Sequence, residues 1–180
     1  MITLIYLIGS ICSQEHFKVE LEAFSPSDQL VIGTFKDRTA PQFLAKDISG
    51  QEVSFEATSD KINLLWFWST KDKTSMNLLP HLNLLLLDEL DHMWIYGFGV
   101  QEKETIEQVA REQAVIFSMI PSSGQFGEMV YGGDLGSNRL FLVDKDRIVR
   151  EVLPSSFFTE HSPQQAISII RDMIQRLKFD

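Results

Sequence analysis

Apolar residues form long runs in the middle of the chain, and these runs predict the first elements. Two runs of strand length, 61–68 (KINLLWFW) and 93–100 (MWIYGFGV), are apolar almost throughout, which predicts central strands buried on both faces. The segment between them, 73–90, is long enough for a helix of about five turns. The order strand, helix, strand therefore predicts a parallel crossover.

The second half of the chain continues with further helices and strands. Apolar residues at helical spacing predict a helix over 106–113, and a loop rich in Gly and Ser is expected over 121–136. Two short apolar runs flank the polar turn 144–147, which predicts a β-hairpin. Ser162 and Pro163 suit the N-cap and the first position of a helix, so a final helix is expected to begin there.

The N-terminal part of the chain predicts an extension built from short strands. Residues 17–22 alternate between apolar and charged side chains, as a half-buried strand does. The segment 25–28 (SPSD) is typical of a turn, and a second strand is expected over 30–35. We therefore divide the chain after residue 12 into an N-terminal β extension at 13–39 and a main domain at 40–180.

The first residues have the character of a secretion signal. Residues 1–11 (MITLIYLIGSI) are uncharged and apolar, but too short for the ~20 residues that span a bilayer. Ser10 and Cys12 are small residues suited to a cleavage site, so 1–12 is predicted to be a signal peptide and the protein to be exported to the periplasm. Because no basic residue precedes Lys18, an apolar edge strand and a lipid anchor on Cys12 stay open as alternatives.

Composition and charge exclude several classes of function. With 44% apolar and 23% charged residues, the chain has the composition of a globular domain rather than of a disordered or multi-span membrane protein. A net charge of −9 argues against nucleic-acid binding, which needs a basic surface to displace counterions. The single cysteine, Cys12, excludes an internal disulfide, a CxxC pair and a zinc site made of cysteines.

Three separated segments of the main domain form a recognisable set. They are 40–43 (APQF), which precedes a hairpin expected over 43–55, then 64–80, which begins LLWFWST and ends in proline, and 141–146 (FLVDKD). Together they resemble the TlpA/ResA-like thioredoxin and redoxin family, where the last two segments read FWATWCxxC…P and FLIDxxG. The resemblance covers about 40–177 and implies an α/β thioredoxin-like fold, with a central mixed β-sheet flanked by helices.

The positions that carry the family's chemistry differ in this chain. The resemblance places the two family cysteines, which exchange disulfides at the start of the first long helix, at Asp72 and Ser75. Neither residue can form a disulfide, and the peroxidase branch of the superfamily also needs a cysteine here. The family's cis-proline position falls on Asn138, where a trans loop is expected. Arg147 stands where the family's hairpin has glycine.

Local chemistry gives Asp72 a structural role. An aspartate at a helix N-cap can accept the backbone N–H of Ser75 and complement the positive end of the helix, whereas a catalytic or metal-binding role is the alternative. No pair of histidines has helical metal-ligand spacing, so we expect no metal and no cofactor. The histidines are scattered along the chain: His16, His81, His92 and His161.

The helix expected over 73–90 is apolar nearly all round, which predicts burial on more than one side. Either the N-terminal extension or a protein partner covers the additional apolar surface. We predict that a partner contacts the cleft at the ends of the strands and a second, apolar surface on this helix. The cleft residues are Trp68, Thr70, Lys71, Asn138 and Arg139, and the helix residues are Leu78, Leu84 and Leu85.

These observations predict a redox-inactive thioredoxin-like protein that acts as a protein-binding or assembly module in the cell envelope. The alternative is a thiol-disulfide oxidoreductase of the family whose activity is lost or depends on a cysteine of a partner. A third hypothesis is a carrier that holds a small ligand in the cleft between Asp72 and Asn138. The expected partner is a protein of the envelope, with no nucleic acid and no transmembrane span in the mature chain.

Overall fold

A five-stranded mixed β-sheet forms the centre of the molecule. The computed structural model describes residues 25–58, 60–132 and 138–179. The strands are β1 Leu44–Lys46, β2 Glu52–Ser54, β3 Ile62–Trp68, β4 Met93–Gly99, β5 Ser118–Ile120, β6 Arg139–Val143 and β7 Val149–Leu153. The helices are α1 Pro26–Phe35, α2 Lys73–Glu89, α3 Lys103–Glu112, α4 Gly124–Tyr131, α5 Ser155–Glu160 and α6 Pro163–Leu177.

The strand order in the sheet is β5-β4-β3-β6-β7. Strand β4 runs parallel to both β3 and β5, whereas β6 is antiparallel to β3 and to β7. The two apolar runs of the sequence are β3 and β4, and each has a neighbouring strand on both sides. The predicted central strands, the parallel crossover through α2 and the mixed sheet are therefore confirmed.

The two faces of the sheet carry different side chains because residues alternate along each strand. On one face, the rings of Trp66 and Trp68 stack with centroids 4.9 Å apart. On the other face, Phe67 belongs to a layer of aromatic rings in mutual contact, which also includes side chains from α1 and α4. We call this the aromatic layer: Phe35, Phe43, Phe67, Phe98, Phe126, Tyr131 and Phe141.

Helix α6 packs against α2 and covers part of its apolar surface. Near the end of α2, the buried carboxylate of Glu89 accepts a hydrogen bond from Gln175 Nε2 at 2.7 Å and pairs with the Lys178 ammonium. An exposed ion pair joins Arg171 to Asp88 at 2.5 Å. A buried carboxylate with charged and hydrogen-bonding partners keeps these partners in defined positions. The contacts of Glu89 therefore fix the position of α6 on α2.

The prediction of a strand over 30–35 is wrong, because Pro26–Phe35 forms α1. The Ser25 side chain accepts the backbone N–H of Asp28 at 3.2 Å, and proline occupies the first turn, which is a common start of a helix. Val31 and Ile32 are the buried residues of this helix, which packs on β7. The remaining part of the predicted β extension and the predicted signal peptide at 1–12 lie outside the described residues.

The prediction of a continuous loop over 121–136 is also wrong, because α4 occupies Gly124–Tyr131. This short helix is held by long-range contacts, since Phe126 and Tyr131 join the aromatic layer. The short strand β5 and helix α5 were not predicted either. Elements of three to eight residues carry little periodicity, so neighbours in space rather than local sequence stabilise them.

The turns predicted within the two hairpins and the predicted start of the last helix are confirmed, whereas the turn predicted at 25–28 is wrong because Pro26 begins α1. Gly50 turns the β1–β2 hairpin with φ of 86°, and Arg147 takes φ of 61° in the β6–β7 turn. At the start of α6, the Ser162 side chain accepts the backbone N–H of Gln165, whose side chain accepts the backbone N–H of Ser162. This reciprocal pair is a capping box, which satisfies two N–H groups at the helix start.

Candidate functional site

The connection from β3 to α2 occupies the position that resembles the family's redox site. Its first residue, Ser69, is buried and organises the turn. The Ser69 carbonyl accepts the backbone N–H of Asp72 at 3.1 Å, and its hydroxyl accepts the backbone N–H of Lys71 at 3.2 Å. The chain is therefore closed into a tight turn directly before the helix.

Asp72 is the N-cap of α2, as predicted. Its carboxylate accepts the backbone N–H groups of Thr74 at 3.2 Å and Ser75 at 2.8 Å. It also accepts the hydroxyl of Ser75, with an oxygen to oxygen distance of 2.6 Å. Negative charge at this end of a helix is stabilising, so the carboxylate already fills the position where a thiolate or a bound anion would be favoured.

The Ser75 side chain has no access to a substrate. The residue is 0% exposed, and its hydroxyl proton is directed to Asp72 rather than to the cleft. Asp72 and Ser75 thus form a hydrogen-bonded pair at the positions that the sequence resemblance assigns to two cysteines. This pair caps a helix, and it cannot form a disulfide.

Gln101 is a site residue that the sequence analysis missed. Its side-chain amide donates to the Ser69 hydroxyl at 2.8 Å and accepts the backbone N–H of Thr70 at 3.0 Å. Gln101 follows β4, the parallel neighbour of β3, and the ends of parallel neighbours lie at one edge of the sheet. A polar residue directly after each central strand was the signal that could have identified it.

Asn138 supports the core rather than presenting an open cleft. The residue is 1% exposed, and its side-chain oxygen accepts the indole N–H of Trp66 at 2.8 Å. Within the described residues, the Asn138 side-chain nitrogen and the indole nitrogen of Trp68 have no hydrogen-bond partner. The peptide bond before Asn138 joins it to residue 137, which is not described, so the trans loop stays a prediction.

The predicted cleft contacts divide into buried and accessible residues. Trp68 is 0% exposed and Arg139 is 7% exposed, and Arg139 donates a hydrogen bond to the Gly132 carbonyl. These two side chains and Asn138 are therefore in the interior, which overturns their assignment to a partner surface. Thr70 is half-buried and Lys71 is exposed, so these two residues can meet another molecule.

The predicted apolar contact on α2 divides in the same way. Leu78 and Leu85 are core residues with exposures of 1% and 0%, so the prediction that they contact a partner is wrong. Both lie on a helix between the sheet and its neighbours, where the additional apolar surface is used internally. Leu84 is 58% exposed, and Leu87, one turn further along, is 59% exposed.

Two further properties of the described residues bear on the site. Among them, no three His, Cys, Asp or Glu side chains are grouped so that they could hold a metal ion. No helix in the described ranges combines the length and the apolar character needed to cross a bilayer. The Asp72 carboxylate is therefore a cap without neighbouring metal-ligating side chains.

Solved structures with a similar fold are thioredoxin-like proteins. Peroxidoxin BcpB from Mycobacterium tuberculosis matches with a TM-score of 0.64 and 18% identity over 77% of this chain and 97% of its own. The thioredoxin domain of a thiol-disulfide oxidoreductase from Bacteroides vulgatus matches with a TM-score of 0.59 and 18% identity over 69% and 94%. A thiol:disulfide interchange protein of the thioredoxin family from Chlorobium tepidum matches with a TM-score of 0.58 and 15% identity over 73% and 97%.

The chain therefore has a thioredoxin-like fold, as the sequence resemblance implied. The sequence itself matches no known protein family and no curated protein. At these levels of identity the similarity establishes the fold alone, since one fold supports many functions.

Proposed function

We propose that this protein is a redox-inactive thioredoxin-like protein that binds another protein in the cell envelope. The observation that carries the proposal is the pair Asp72 and Ser75 at the start of α2. The Ser75 hydroxyl is buried and donates to the Asp72 carboxylate at 2.6 Å. The fold thus keeps the helix start while its two key positions serve as a cap.

Chemistry supports the absence of redox activity in this site. Thiol-disulfide exchange needs a thiolate that attacks a disulfide sulfur, and peroxide reduction needs a cysteine that is oxidised. The site has no sulfur at either position, and the only cysteine of the chain is Cys12. The competing function is an oxidoreductase that works with a cysteine of a partner. It is supported by two structural neighbours that are named a thiol-disulfide oxidoreductase and a thiol:disulfide interchange protein.

Binding is proposed to use the exposed side of α2. Leu84 and Leu87 are separated by three positions and lie side by side on the helix surface, each more than half exposed. Thr70 and Lys71 precede the same helix, roughly 16 Å or more from Leu84 along its axis, and offer a separate polar contact. Exposed apolar side chains in a group are typical of protein contact sites.

The redox part is tested with two assays on the purified protein, insulin reduction in the presence of dithiothreitol and peroxide consumption. We expect rates equal to the blank for the wild type and for Cys12→Ser. The double variant Asp72→Cys with Ser75→Cys is the positive control, since a CxxC pair at a helix start favours a thiolate. Turnover by the wild type that survives Cys12→Ser but is lost in Asp72→Ala would refute redox inactivity.

The binding part is tested by placing a photocrosslinking amino acid at position 84 in the full chain expressed in its host. Leu30 on α1 is the matched control position, because it is a helical leucine with 71% exposure on another element. We expect an envelope protein crosslinked from position 84 and not from position 30. Equal crosslinking from both positions, or from neither, would exclude α2 as the contact.

Export is tested on the same cells by fractionation and by mass spectrometry of the mature N-terminus. Cleavage after Cys12 would give a chain that begins at Ser13 in the periplasmic fraction. A lipid on Cys12 would instead place the protein in the membrane fraction with a modified N-terminus. An intact Met1 in the cytoplasmic fraction would refute the envelope location.

A further inference from the structure

A cavity of about 360 Å³ lies away from the start of α2, beside the β1–β2 hairpin and the β6–β7 turn. Asn63, near the beginning of β3, lines it, whereas Trp68 ends the same strand next to the site described above. The two positions are five steps apart along the strand, which corresponds to roughly 16 Å. The cavity is therefore distinct from the site at the start of α2.

One wall of the cavity is aromatic. Phe43 and Phe55 line it and meet edge to face, with ring centroids 5.0 Å apart. Leu44 also lines the cavity and is 69% exposed. The volume of the cavity is near the lower end of the roughly 300–1,000 Å³ typical of small-molecule pockets. The apolar part of a ligand would be small and flat.

Positively charged side chains also line the cavity. Lys145 and Arg147 line it, with Glu56 as the acidic side chain of the same lining. The Arg147 guanidinium lies 5.8 Å from the centre of the Phe55 ring. The two cationic side chains of the lining can pair with an anionic group of a ligand.

Arg147 has donor capacity that the protein does not use. Its side chain makes one hydrogen bond within the described residues, from Nη2 to the Ala40 carbonyl at 3.2 Å, and its Nε is buried without a partner. No ion pair of the described residues includes Arg147, whereas Arg150 in the same hairpin pairs with Asp144 at 2.5 Å. A guanidinium in a partly buried position is most stable with a carboxylate.

The backbone at Arg147 strengthens this interpretation. Its φ of 61° lies in the left-handed region, which glycine adopts without steric cost and other residues adopt at a cost. The turn alone would thus be served best by glycine, yet a long cationic side chain occupies the position and lines the cavity. Strained positions that persist are a reason to look for a function of the side chain.

We propose that this cavity binds a small aromatic monocarboxylate. Its carboxylate pairs with Arg147 and Lys145, and its ring packs against Phe43 and Phe55. The bidentate fork of the guanidinium matches the two carboxylate oxygens. The site works independently of α2, so it does not depend on the binding function proposed above.

The test is an NMR titration of the full ¹⁵N-labelled chain with phenylacetate to about 20 mM, a range that detects millimolar binding. We expect saturable shifts at the amides of Phe55 and of 145–147. Neutral phenylacetamide has the same shape without the charge, and we expect it to bind at least about tenfold more weakly. Equal affinity for both compounds, shifts confined to other regions, or no saturable shift would each overturn the proposal.

Variants then identify the residue that holds the carboxylate. Arg147→Asn removes the guanidinium with a residue that tolerates positive φ, and we expect at least about tenfold weaker binding of phenylacetate. Lys73→Gln is the matched control, because it removes an exposed cation at the start of α2, away from the cavity, and should leave affinity unchanged. If Arg147→Asn fails to fold, Lys145→Gln decides, with about threefold weaker binding expected. Unchanged affinity in the deciding variant, or equal weakening in Lys73→Gln, would refute the assignment.

Discussion

Replacing Asp72 by alanine tests the hydrogen-bonded start of α2, on which the proposed loss of redox function rests. The carboxylate accepts two backbone N–H groups, at 3.2 and 2.8 Å, and the Ser75 hydroxyl at 2.6 Å. Loss of an N-cap side chain costs about 1 kcal/mol. Ser75 is 0% exposed, so its hydroxyl would be left buried without a partner, which adds about 1–2 kcal/mol.

The expected decrease in the free energy of unfolding for Asp72→Ala is therefore about 2–3 kcal/mol. It is measured by urea denaturation followed by circular dichroism, with an unchanged dependence on urea as the sign that the unfolded state is the same. In a domain of this size the melting temperature should fall by roughly 5–10 °C. A loss below about 0.5 kcal/mol would show that the cap contributes little and would reopen a functional role for Asp72.

A double-mutant cycle separates the cap from the buried hydroxyl. Ser75→Ala alone removes the hydroxyl but leaves the backbone bonds to Asp72, so we expect a loss of about 1 kcal/mol or less. With Ser75→Ala present, Asp72→Ala no longer leaves a buried hydroxyl without a partner. The loss in unfolding free energy of the double variant should therefore be smaller than the sum of the two single losses by at least about 1 kcal/mol. Additive losses would refute the coupling of the two side chains.

Three further perturbations test the packing and charges of the fold. Gly99→Ala should destabilise by about 1–3 kcal/mol in urea denaturation, because a Cβ there would meet Ile106 Cδ1 at 2.6 Å. Lys178→Met should cost about 3 kcal/mol in the same assay, since it leaves the buried Glu89 carboxylate without its cation. Burial raises the pKa of Tyr131 above its ordinary value of 10.0, an effect partly offset by Arg147. The unfolded state therefore ionises first, and unfolding free energy should fall as pH rises above about 10, less steeply in Tyr131→Phe.

The first two of these predictions have matched control variants, and Tyr131→Phe is compared with the wild type. Gly33→Ala lies in α1 with no atom within 4 Å of the added Cβ, so it should stabilise by about 0.5–1 kcal/mol. Arg171→Met breaks an exposed pair with Asp88 and should change stability by about 0.5 kcal/mol or less. An equal loss in Arg171→Met and Lys178→Met, or a stability curve for Tyr131→Phe that matches the wild type up to pH 11, would contradict the respective argument.

Local patterns in the sequence were sufficient where a few neighbouring residues decide the structure. The strands β3 and β4 follow from long apolar runs, because only burial on both faces hides such a strand from water. The starts of α2 and α6 follow from Asp72 and Ser162, because a cap bonds to N–H groups within three residues. The absence of cysteine at Asp72 and Ser75, the positions that the sequence resemblance assigns to two cysteines, is likewise visible in the sequence.

Local signals can also be outweighed. The segment 30–35 was assigned to a strand, but the serine and proline before it begin a helix, and Val31 and Ile32 are buried. The cap and the packing of the helix on β7 together decided the conformation. Propensity within six residues is too weak to distinguish a strand from a helix.

Only the tertiary structure decided which apolar and polar residues are accessible. Leu78, Leu84 and Leu85 belong to the same apolar helix, and the arrangement of the sheet and α6 leaves Leu84 alone of the three exposed. Asn138 is buried, where it accepts the indole N–H of Trp66 from 72 positions away in the sequence. The cavity beside Arg147 combines residues about a hundred positions apart. Burial and cavities arise from contacts between distant segments, which no local pattern encodes, and they determine where this thioredoxin-like fold can bind another molecule.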